Sequence, residues 1–410
     1  MKKTAFVLPL FAFVVAFLFG PQNARGDDGN PADALTIVSQ TDHGMLCKLE
    51  GQRDVLFIEG TAEEMGAAHG ELMTEGIDSL ANIIGAVALA YTAEKKVSFE
   101  DQIKEAQNRC RPFTPKRFIR EMNAMAETSG QKPSTIRKIN FFPEMFHCTG
   151  VAVRGPMTVD GNVRHARVLD YMKDIGLQEY AVLMVFMPSE KLDGKPLNAW
   201  ISVSYPGFLG TVTCMNEKGL AMGEMGGGGV GQWDGLSMTF LMRRVMEECS
   251  TVQEALDLIQ STPLTCTYYY VLSDASNDIA AVVTEAGTDH PVHIVLPNED
   301  YPDWMPNKSV MPKKYPDAVF VSGRGERINA LSQRLDEYTA DGKKIDSQAM
   351  MEIVKRPVCM KENLHDAIFE PATGDFYFAE AQGDEIGANS KYFKGNIAKF
   401  IEFYKANKKK

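Results

Sequence analysis

HCTGVAVRGPMTVDGNVRHARVLDY, residues 147–171, contains two strand-like runs on either side of a turn signal. Cys148 stands at the head of the first run, and the turn signal is Asp160-Gly161. The second run ends in Arg167 and Asp170. Because an Asp-Gly pair between two such runs is typical of a β-hairpin, we expect Arg167 and Asp170 to lie beside Cys148.

A thiol beside an arginine and an aspartate is a candidate nucleophile. The thiolate is the reactive form of cysteine, and a neighbouring cation favours it. Two other interpretations are open: Cys148 is a buried structural thiol, as many free cysteines are, and Arg167 and Asp170 form a structural ion pair. The hairpin that brings the three residues together favours the catalytic interpretation.

The Cys-Thr-Gly start and the Arg-Val-Leu-Asp end of this stretch resemble the N-terminal-nucleophile cysteine hydrolases, which include bile salt hydrolases and penicillin V acylases. Residues 55–385 are more similar to the acyl-CoA:6-aminopenicillanate acyltransferase family. The motifs that carry this resemblance are Glu59-Gly60 with Gly66-x-x-x-Gly70, the segment 121–148, and the turn Asn216-Glu217-x-Gly219-Leu220.

The resemblance implies a self-processing enzyme. In such families the precursor is cut just before the cysteine, here between His147 and Cys148. The new α-amino group, with an unperturbed pKa of about 8, then serves as the general base for the thiol. The resemblance gives Asp170 the role of orienting this amine and Arg167 the role of supplying positive charge near the thiolate.

The implied substrate is a small acyl amide or thioester. Its acyl group would be transferred to Cys148 and then to water, which makes the protein a hydrolase, or to an amine, which makes it an acyltransferase. We expect no cofactor. Two alternatives are a lipid amidase or phospholipase-like relative of the same fold, and an exported binding protein that has lost catalysis.

The oxyanion hole departs from the family pattern. Relatives often place an asparagine after the strand that follows the Asn-Glu-x-Gly-Leu turn, where this chain has Glu224. The candidate donors that remain are Asn216, the backbone N–H of Gly226 and Ser322.

The residue before the nucleophile is a second departure, because the penicillin acyltransferase has glycine where this chain has His147. If the chain is not cut, Cys148 has no free amine. The base would then have to be His147 or His165.

The order of strands, helices and strands fits an α+β protein with mainly antiparallel sheets. The resemblance implies the αββα sandwich of the N-terminal-nucleophile hydrolases, preceded by a helical N-terminal segment. We expect one helix over residues 65–91, a second over 99–110 and a third over 115–129. The predicted organisation is a signal peptide over 1–26, an N-terminal segment over 27–147 (the alpha chain after processing) and a catalytic region over 148–410 (the beta chain).

The N-terminus has the pattern of a secretory signal. Lys2 and Lys3 precede an apolar run over residues 5–19, which predicts cleavage near Ala24 or Gly26 and an exported protein, periplasmic or secreted. An uncleaved anchor is the alternative. We expect no other membrane-spanning segment and therefore no membrane partner after signal cleavage. The net charge of −11 argues against a nucleic-acid partner.

Seven cysteines occur, and setting Cys148 aside leaves six that an exported protein could pair. Their spacing contains no Cys-x-x-Cys pair, so we predict no zinc site. His290 and His293 have no evident third ligand. The glycine run 226–229 lacks the phosphate-binding pattern and is predicted to be a loop.

Overall fold

The computed structural model describes residues 29–141, 147–171, 173–285, 291–302, 305, 313–322 and 325–409. The predicted signal peptide, His290 and Arg324 lie outside the described residues. Residues Pro31–Lys410 form one compact unit.

The strands in chain order are β1 Leu35–Gln40, β2 Gly44–Leu49, β3 Arg53–Gly60, β4 His147–Val153, β5 Arg164–Asp170, β6 Val182–Pro188, β7 Lys191–Leu192, β8 Lys195–Pro196, β9 Trp200–Ser204, β10 Thr213–Asn216, β11 Ala221–Gly228, β12 Thr267–Ser273, β13 Ile279–Thr284, β14 Val292–Val295, β15 Ala318–Ser322, β16 Asn363–Glu370, β17 Asp375–Glu380 and β18 Phe393–Asn396. The helices are α1 Ala62–Leu72, α2 Thr74–Lys95, α3 Phe99–Cys110, α4 Lys116–Thr128, α5 Pro133–Phe141, α6 Met238–Glu248, α7 Val252–Ser261, α8 Gly325–Thr339, α9 Ser347–Val354 and α10 Ile397–Asn407.

Two sheets form the centre of the molecule. The large sheet has the order β1-β2-β3-β6-β9-β10-β11-β12-β13-β14, and the small sheet has the order β15-β4-β5-β16-β17-β18. Strands β3 and β6 pair in parallel, whereas the other pairs among the described strands are antiparallel. The expectation of mainly antiparallel sheets is therefore confirmed.

The layers follow from which side chains are buried together. Phe57 and Val185 of the large sheet share a core with Phe369 and Phe376 of the small sheet, so the two sheets stack face to face. Helices α1, α4 and α6 share a core with β3, β6 and β9 of the large sheet. Helices α8 and α9 bury their apolar side chains with β4, β5 and β15. This is the predicted αββα sandwich, with α1–α5 as the helical N-terminal segment.

The first helix begins at Ala62, within the stretch Thr61-Ala62-Glu63-Glu64, which has the Ser/Thr-x-x-Glu pattern of a capping box. The Thr61 side chain accepts a hydrogen bond from the Glu64 backbone N–H at 3.3 Å, and the Glu64 carboxylate accepts one from Thr61 N–H at 2.7 Å. This reciprocal capping box satisfies two N–H groups that the helix itself leaves unpaired.

The expectation of one continuous helix over residues 65–91 was wrong, because the chain breaks at Met73 into α1 and α2. Helix α1 packs against α4, and a Cβ atom on Gly66 would lie 2.2 Å from the carbonyl oxygen of Glu121. Helix α2 instead contacts α3 and α5. A straight helix could not follow both surfaces.

Helix α2 is long and apolar enough, by length and composition alone, to cross a membrane, which is contrary to our expectation for this part of the chain. Within the compact unit the side chains of Ile77, Leu80 and Ile84 are buried in the core that α1, α4 and α6 share with the large sheet.

Candidate active site

The hairpin that the sequence predicts is formed by β4 and β5. Cys148 lies opposite Leu169, and His147 lies opposite Asp170. The connection between the strands contains an Asp160 side chain that accepts a hydrogen bond from Asn162 N–H at 3.1 Å, which is the local bond that favours a tight turn here. The hairpin thus brings Cys148 and the end of β5 together at one end of the strands of the small sheet.

Arg167 is fully buried and contacts the thiol. Its Nη2 atom donates to Cys148 Sγ at 3.2 Å and to the carbonyl oxygen of Glu224 at 3.0 Å. The same nitrogen lies 3.5 Å from Glu224 Oε2. The guanidinium therefore joins the thiol of the small sheet to a carboxylate of the large sheet.

In the continuous chain the thiol is held in its protonated form. Burial raises the pKa of Cys148 to about 12, with Glu224 and Asp170 adding to the rise and Arg167 opposing it. The thiol is therefore a poor nucleophile at neutral pH before any change in its surroundings.

Asp170 forms an ion pair with Arg327 and not with Arg167. Its carboxylate binds the Arg327 guanidinium and accepts a hydrogen bond from Met360 N–H at 2.8 Å. Burial raises the pKa of Asp170, and Arg327 opposes this rise. A structural ion pair between Arg167 and Asp170 was therefore wrong, because Arg167 pairs with Glu224 and Asp170 pairs with Arg327.

Glu224 and Arg327 are the site residues that sequence reasoning missed. Burial raises the pKa of Glu224 to about 7, and Arg167 opposes this rise. A charged residue inside the apolar run 220–226 was the available signal for Glu224. An arginine in the first turn of the helix after β15 was the signal for Arg327.

Two of the three candidate oxyanion donors are engaged as follows. Ser322 lies opposite Thr149 in the small sheet, accepts a hydrogen bond from the Thr149 hydroxyl at 2.9 Å and contacts the Cys148 carbonyl oxygen at 3.4 Å. The Asn216 amide instead donates to the carbonyl oxygens of Met246 and Cys249, at 2.9 and 2.8 Å. Asn216 thus connects β10 to the end of α6, while Ser322 contacts the backbone of Cys148.

The third candidate, Gly226, was placed in a loop by the sequence and is part of β11 in the structure. Gly226 pairs with Tyr268 of β12, and the pairing becomes irregular only between Gly226 and Gly228. Strand β11 therefore extends three residues into the predicted loop, to Gly228, because β12 supplies hydrogen-bond partners for it.

His165 is too far along its strand to act as a base for Cys148. It lies opposite Ala152, four residues along β5 from Leu169, which corresponds to about 13 Å. Its Nδ1 atom is 2.8 Å from the Ser273 hydroxyl, and burial lowers the pKa of His165 to about 3. The ring is therefore neutral and forms part of the contact between the sheets.

An apolar cavity of about 70 Å³ lies next to the nucleophile. Residues that line it include Leu80, Ile84 and Ile139 of the N-terminal segment and Leu169, Tyr205 and Glu224 of the catalytic region. Leu169 is the residue opposite Cys148, and Glu224 is bound to Arg167. Both predicted chains therefore contribute to one apolar space beside the thiol.

All seven cysteines are buried, and those at 47, 148, 214, 249 and 359 are free thiols. Among the residues that the structure describes, no group of three or more His, Cys, Asp or Glu side chains is arranged to hold a metal ion.

Part of this chain matches a known protein family. Residues 176–299 match the family described as acyl-coenzyme A:6-aminopenicillanic acid acyl-transferase. These residues contain β6 to β14 and Glu224, but not the hairpin with Cys148.

Two curated proteins of Dictyostelium discoideum are similar over most of the chain. Protein dcd1B is 24% identical over 365 residues, which are 82% of this chain and 70% of that protein. Protein dcd1A is 25% identical over 314 residues, 70% of each chain.

Among solved structures, the Caenorhabditis elegans ortholog of N-acylethanolamine-hydrolyzing acid amidase has a TM-score of 0.40 at 15% identity, covering 59% of this chain and 98% of its own. A mutant of conjugated bile acid hydrolase from Clostridium perfringens has a TM-score of 0.40 at 12% identity, covering 62% and 93%. Penicillin V acylase from Agrobacterium tumefaciens has a TM-score of 0.38 at 15% identity, covering 60% and 90%.

Proposed function

We propose that this protein is an N-terminal-nucleophile amidase or acyltransferase, since residues 176–299 match the family described as acyl-coenzyme A:6-aminopenicillanic acid acyl-transferase. The proposed nucleophile is Cys148, freed by cleavage of the bond between His147 and Cys148. The observation that carries the proposal is the 3.2 Å contact between the Arg167 guanidinium and the Cys148 thiol, beside an apolar cavity.

The proposed maturation starts at the thiol. Cys148 Sγ attacks the carbonyl carbon of His147, the peptide C–N bond breaks, and a thioester forms while the nitrogen of Cys148 gains a proton. Water then hydrolyses the thioester, which releases the carboxylate of His147 and leaves a free α-amine on Cys148. Two chains result, residues 27–147 and 148–410.

The proposed turnover uses the new amine as the base. The amine takes the thiol proton, the thiolate attacks the substrate carbonyl, and the proton passes to the leaving amine as the acyl-enzyme forms. Water or an amine then accepts the acyl group. Because His147 lies opposite Asp170, the new amine arises on the strand beside that carboxylate, which would bind and orient it.

The proposed turnover also requires positive charge near the thiolate and a hydrogen-bond donor for the developing oxyanion. Arg167 already contacts the sulfur and would lower the pKa of the thiol once cleavage opens the site. Of the three candidate oxyanion donors, the Ser322 hydroxyl contacts the backbone carbonyl oxygen of Cys148 and lies with Thr149 on the face of β4 opposite to the thiol, which leaves the backbone N–H of Gly226 as the proposed donor. Asn216 is engaged elsewhere.

The proposed acyl group is apolar, since the cavity beside Cys148 has an almost entirely apolar lining. We expect Ile84→Phe to lower kcat/KM for the longest accepted acyl chains about tenfold and to shift the preference to shorter chains, because a larger side chain fills the cavity. Kinetics on a series of acyl amides of increasing length measures this shift. The matched control is Leu89→Phe on the same helix, where Leu89 is 75% exposed, and an equal effect of both variants would contradict the assignment.

Glu224 is expected to control the pH dependence. With a pKa of about 7, its carboxyl is protonated below that pH, which leaves the Arg167 charge available to the thiolate. Above that pH the ionised carboxylate neutralises Arg167, so kcat/KM should fall as the pH rises through about 7. In Glu224→Gln this fall should be absent, because glutamine cannot ionise.

The control for this pH profile is Glu121→Gln. Glu121 is a second buried glutamate whose pKa burial raises to about 7, but its partner is Arg243. The Glu121 variant should keep the fall in kcat/KM. A Glu224→Gln enzyme with the wild-type profile would remove Glu224 from the proposal.

We also propose that residues 1–26 are a signal peptide and that the protein is exported. Fractionation of cells that express the full chain would test this, with the protein retained in the cytoplasm as the contrary result.

The experiment for the whole proposal is intact mass measurement and N-terminal sequencing of the purified protein. Two chains, one beginning at Cys148, are expected; a single chain through His147-Cys148 that lacks amidase activity would favour a binding protein.

A further inference from the structure

A row of side chains crosses the small sheet from the nucleophile to a buried glutamate. Cys148 lies opposite Leu169, Leu169 opposite His365, and His365 opposite Glu380. Residues directly opposite each other in a sheet point to the same face. With three strand spacings of roughly 4.8 Å each, Glu380 lies about 14 Å from Cys148 on that face.

Glu380 forms an ion pair with an arginine of the other sheet. Its Oε2 atom is 3.2 Å from Nε of Arg53, the first residue of β3. The Glu380 side chain is 1% exposed and the Arg53 side chain 14%. The pair therefore lies between the two sheets, at the same end of the strands as the candidate active site.

Several polar atoms of this pair have no hydrogen-bond partner among the described residues. They are both carboxylate oxygens of Glu380 and the Nε and Nη2 atoms of Arg53, since the ion-pair contact lacks hydrogen-bond geometry. The buried hydroxyl of Tyr205, which lines the apolar cavity, is also without a partner in the described part of the chain. Buried polar groups are nearly always paired because leaving them unpaired is destabilising, so a cluster of unpaired ones indicates a site that a polar molecule completes.

A polar cleft of about 330 Å³ opens at Arg53, next to residues that line the apolar cavity. Gln178 lines the cleft and its chain neighbour Leu177 lines the cavity. Ala381 lines the cleft and donates its N–H to the carbonyl oxygen of Leu364, which lines the cavity, at 2.8 Å. Neighbouring residues therefore line the two spaces.

We propose that Arg53 and Glu380 form a subsite for a neutral polar group at the far end of the substrate acyl chain, a hydroxyl or a carboxamide; this inference rests on the proposed amidase function. The pair is neutral overall, and a charged end group would bury an uncompensated charge beside it. Both unpaired donors and unpaired acceptors are present, so the fitting group is one that donates and accepts. The row from Cys148 to Glu380 gives the separation between the two ends of such a chain.

The test compares acyl amides of one chain length and one leaving amine that end in a methyl, hydroxyl, carboxylate or ammonium group. We expect kcat/KM for the hydroxyl-ended amide to exceed that for the methyl-ended amide about tenfold, because only the hydroxyl pairs the buried groups. In the double variant Arg53→Met, Glu380→Leu the ratio should fall to about one or below. The control is Arg120→Met, which removes an exposed arginine paired with Glu63 and should keep the wild-type ratio.

A wild-type ratio of about one, or a preference for either charged end group, would overturn the subsite. Turnover of the methyl-ended amide tests the amidase proposal separately. Inhibition of the processed protein by the hydroxyl- and methyl-ended carboxylic acids, the products of hydrolysis, gives the same comparison without turnover. Glu380→Gln, which keeps the side-chain volume, serves if the double variant does not fold, and it should reduce the affinity difference between the two acids.

Discussion

The Cys148→Ala variant is expected to be recovered as a single uncleaved chain with no amidase or acyltransferase activity. Both proposed steps need the same sulfur: it attacks the His147 carbonyl during maturation and the substrate carbonyl during turnover. Mass spectrometry of the purified protein and an activity assay on acyl amides measure the two losses. The substitution removes only the sulfur atom that forms these bonds. Arg167, which contacts the thiol, and Ser322, which contacts the backbone of Cys148, stay unchanged.

The matched control is Cys214→Ala. Cys214 is also fully buried, and burial raises its pKa to about 12, but its thiol contacts the carbonyl oxygen of Met222. We expect this variant to be cut and active. Cleavage or full turnover in Cys148→Ala would rule out Cys148 as the nucleophile.

The largest expected loss of stability follows from replacing Arg243 by methionine. The Arg243 side chain is 1% exposed and pairs with Glu121 at 2.6 Å and with Glu247 at 2.8 Å, both of which are buried. Its Nη1 atom donates to the carbonyl oxygen of Leu209 at 3.1 Å, and its guanidinium lies 4.4 Å from the centre of the Phe118 ring. Removing the cation leaves two buried carboxyl groups without this partner, and we expect the free energy of unfolding to fall by about 3–5 kcal/mol.

Denaturant unfolding measures this loss against a neighbouring control, Arg244→Met. Arg244 is on the same helix and pairs with Glu248 at 2.8 Å, but its side chain is 24% exposed. We expect a loss of about 1 kcal/mol or less for this partly exposed pair. Adding Glu121→Gln to Arg243→Met should recover part of the stability, because one buried carboxyl group is then gone. Equal losses in the two arginine variants would show that burial of the network is not what makes it stabilising.

Local patterns were sufficient for the hairpin and the class of fold. The Asp160-Gly161 turn and the flanking strand-like runs predict the pairing of Cys148 with the end of β5, since a hairpin needs only neighbouring residues and a fitting turn. Capping of α1 by Thr61 and Glu64 was predictable for the same reason. The four-layer arrangement came from the family resemblance, because periodicity indicates only that strands and helices are mixed.

The partners of the charged residues required the folded molecule. Arg167 pairs with Glu224, 57 residues away, and Asp170 pairs with Arg327, 157 residues away. No local signal couples such positions, because the stacking of one sheet on the other and the docking of α8 bring them together. The break at Met73, the cavity beside Cys148 and the pair of Arg53 with Glu380 depend in the same way on several layers at once. The candidate nucleophile is therefore visible in a short stretch of chain, whereas the electrostatic surroundings that set its pKa arise only from tertiary packing.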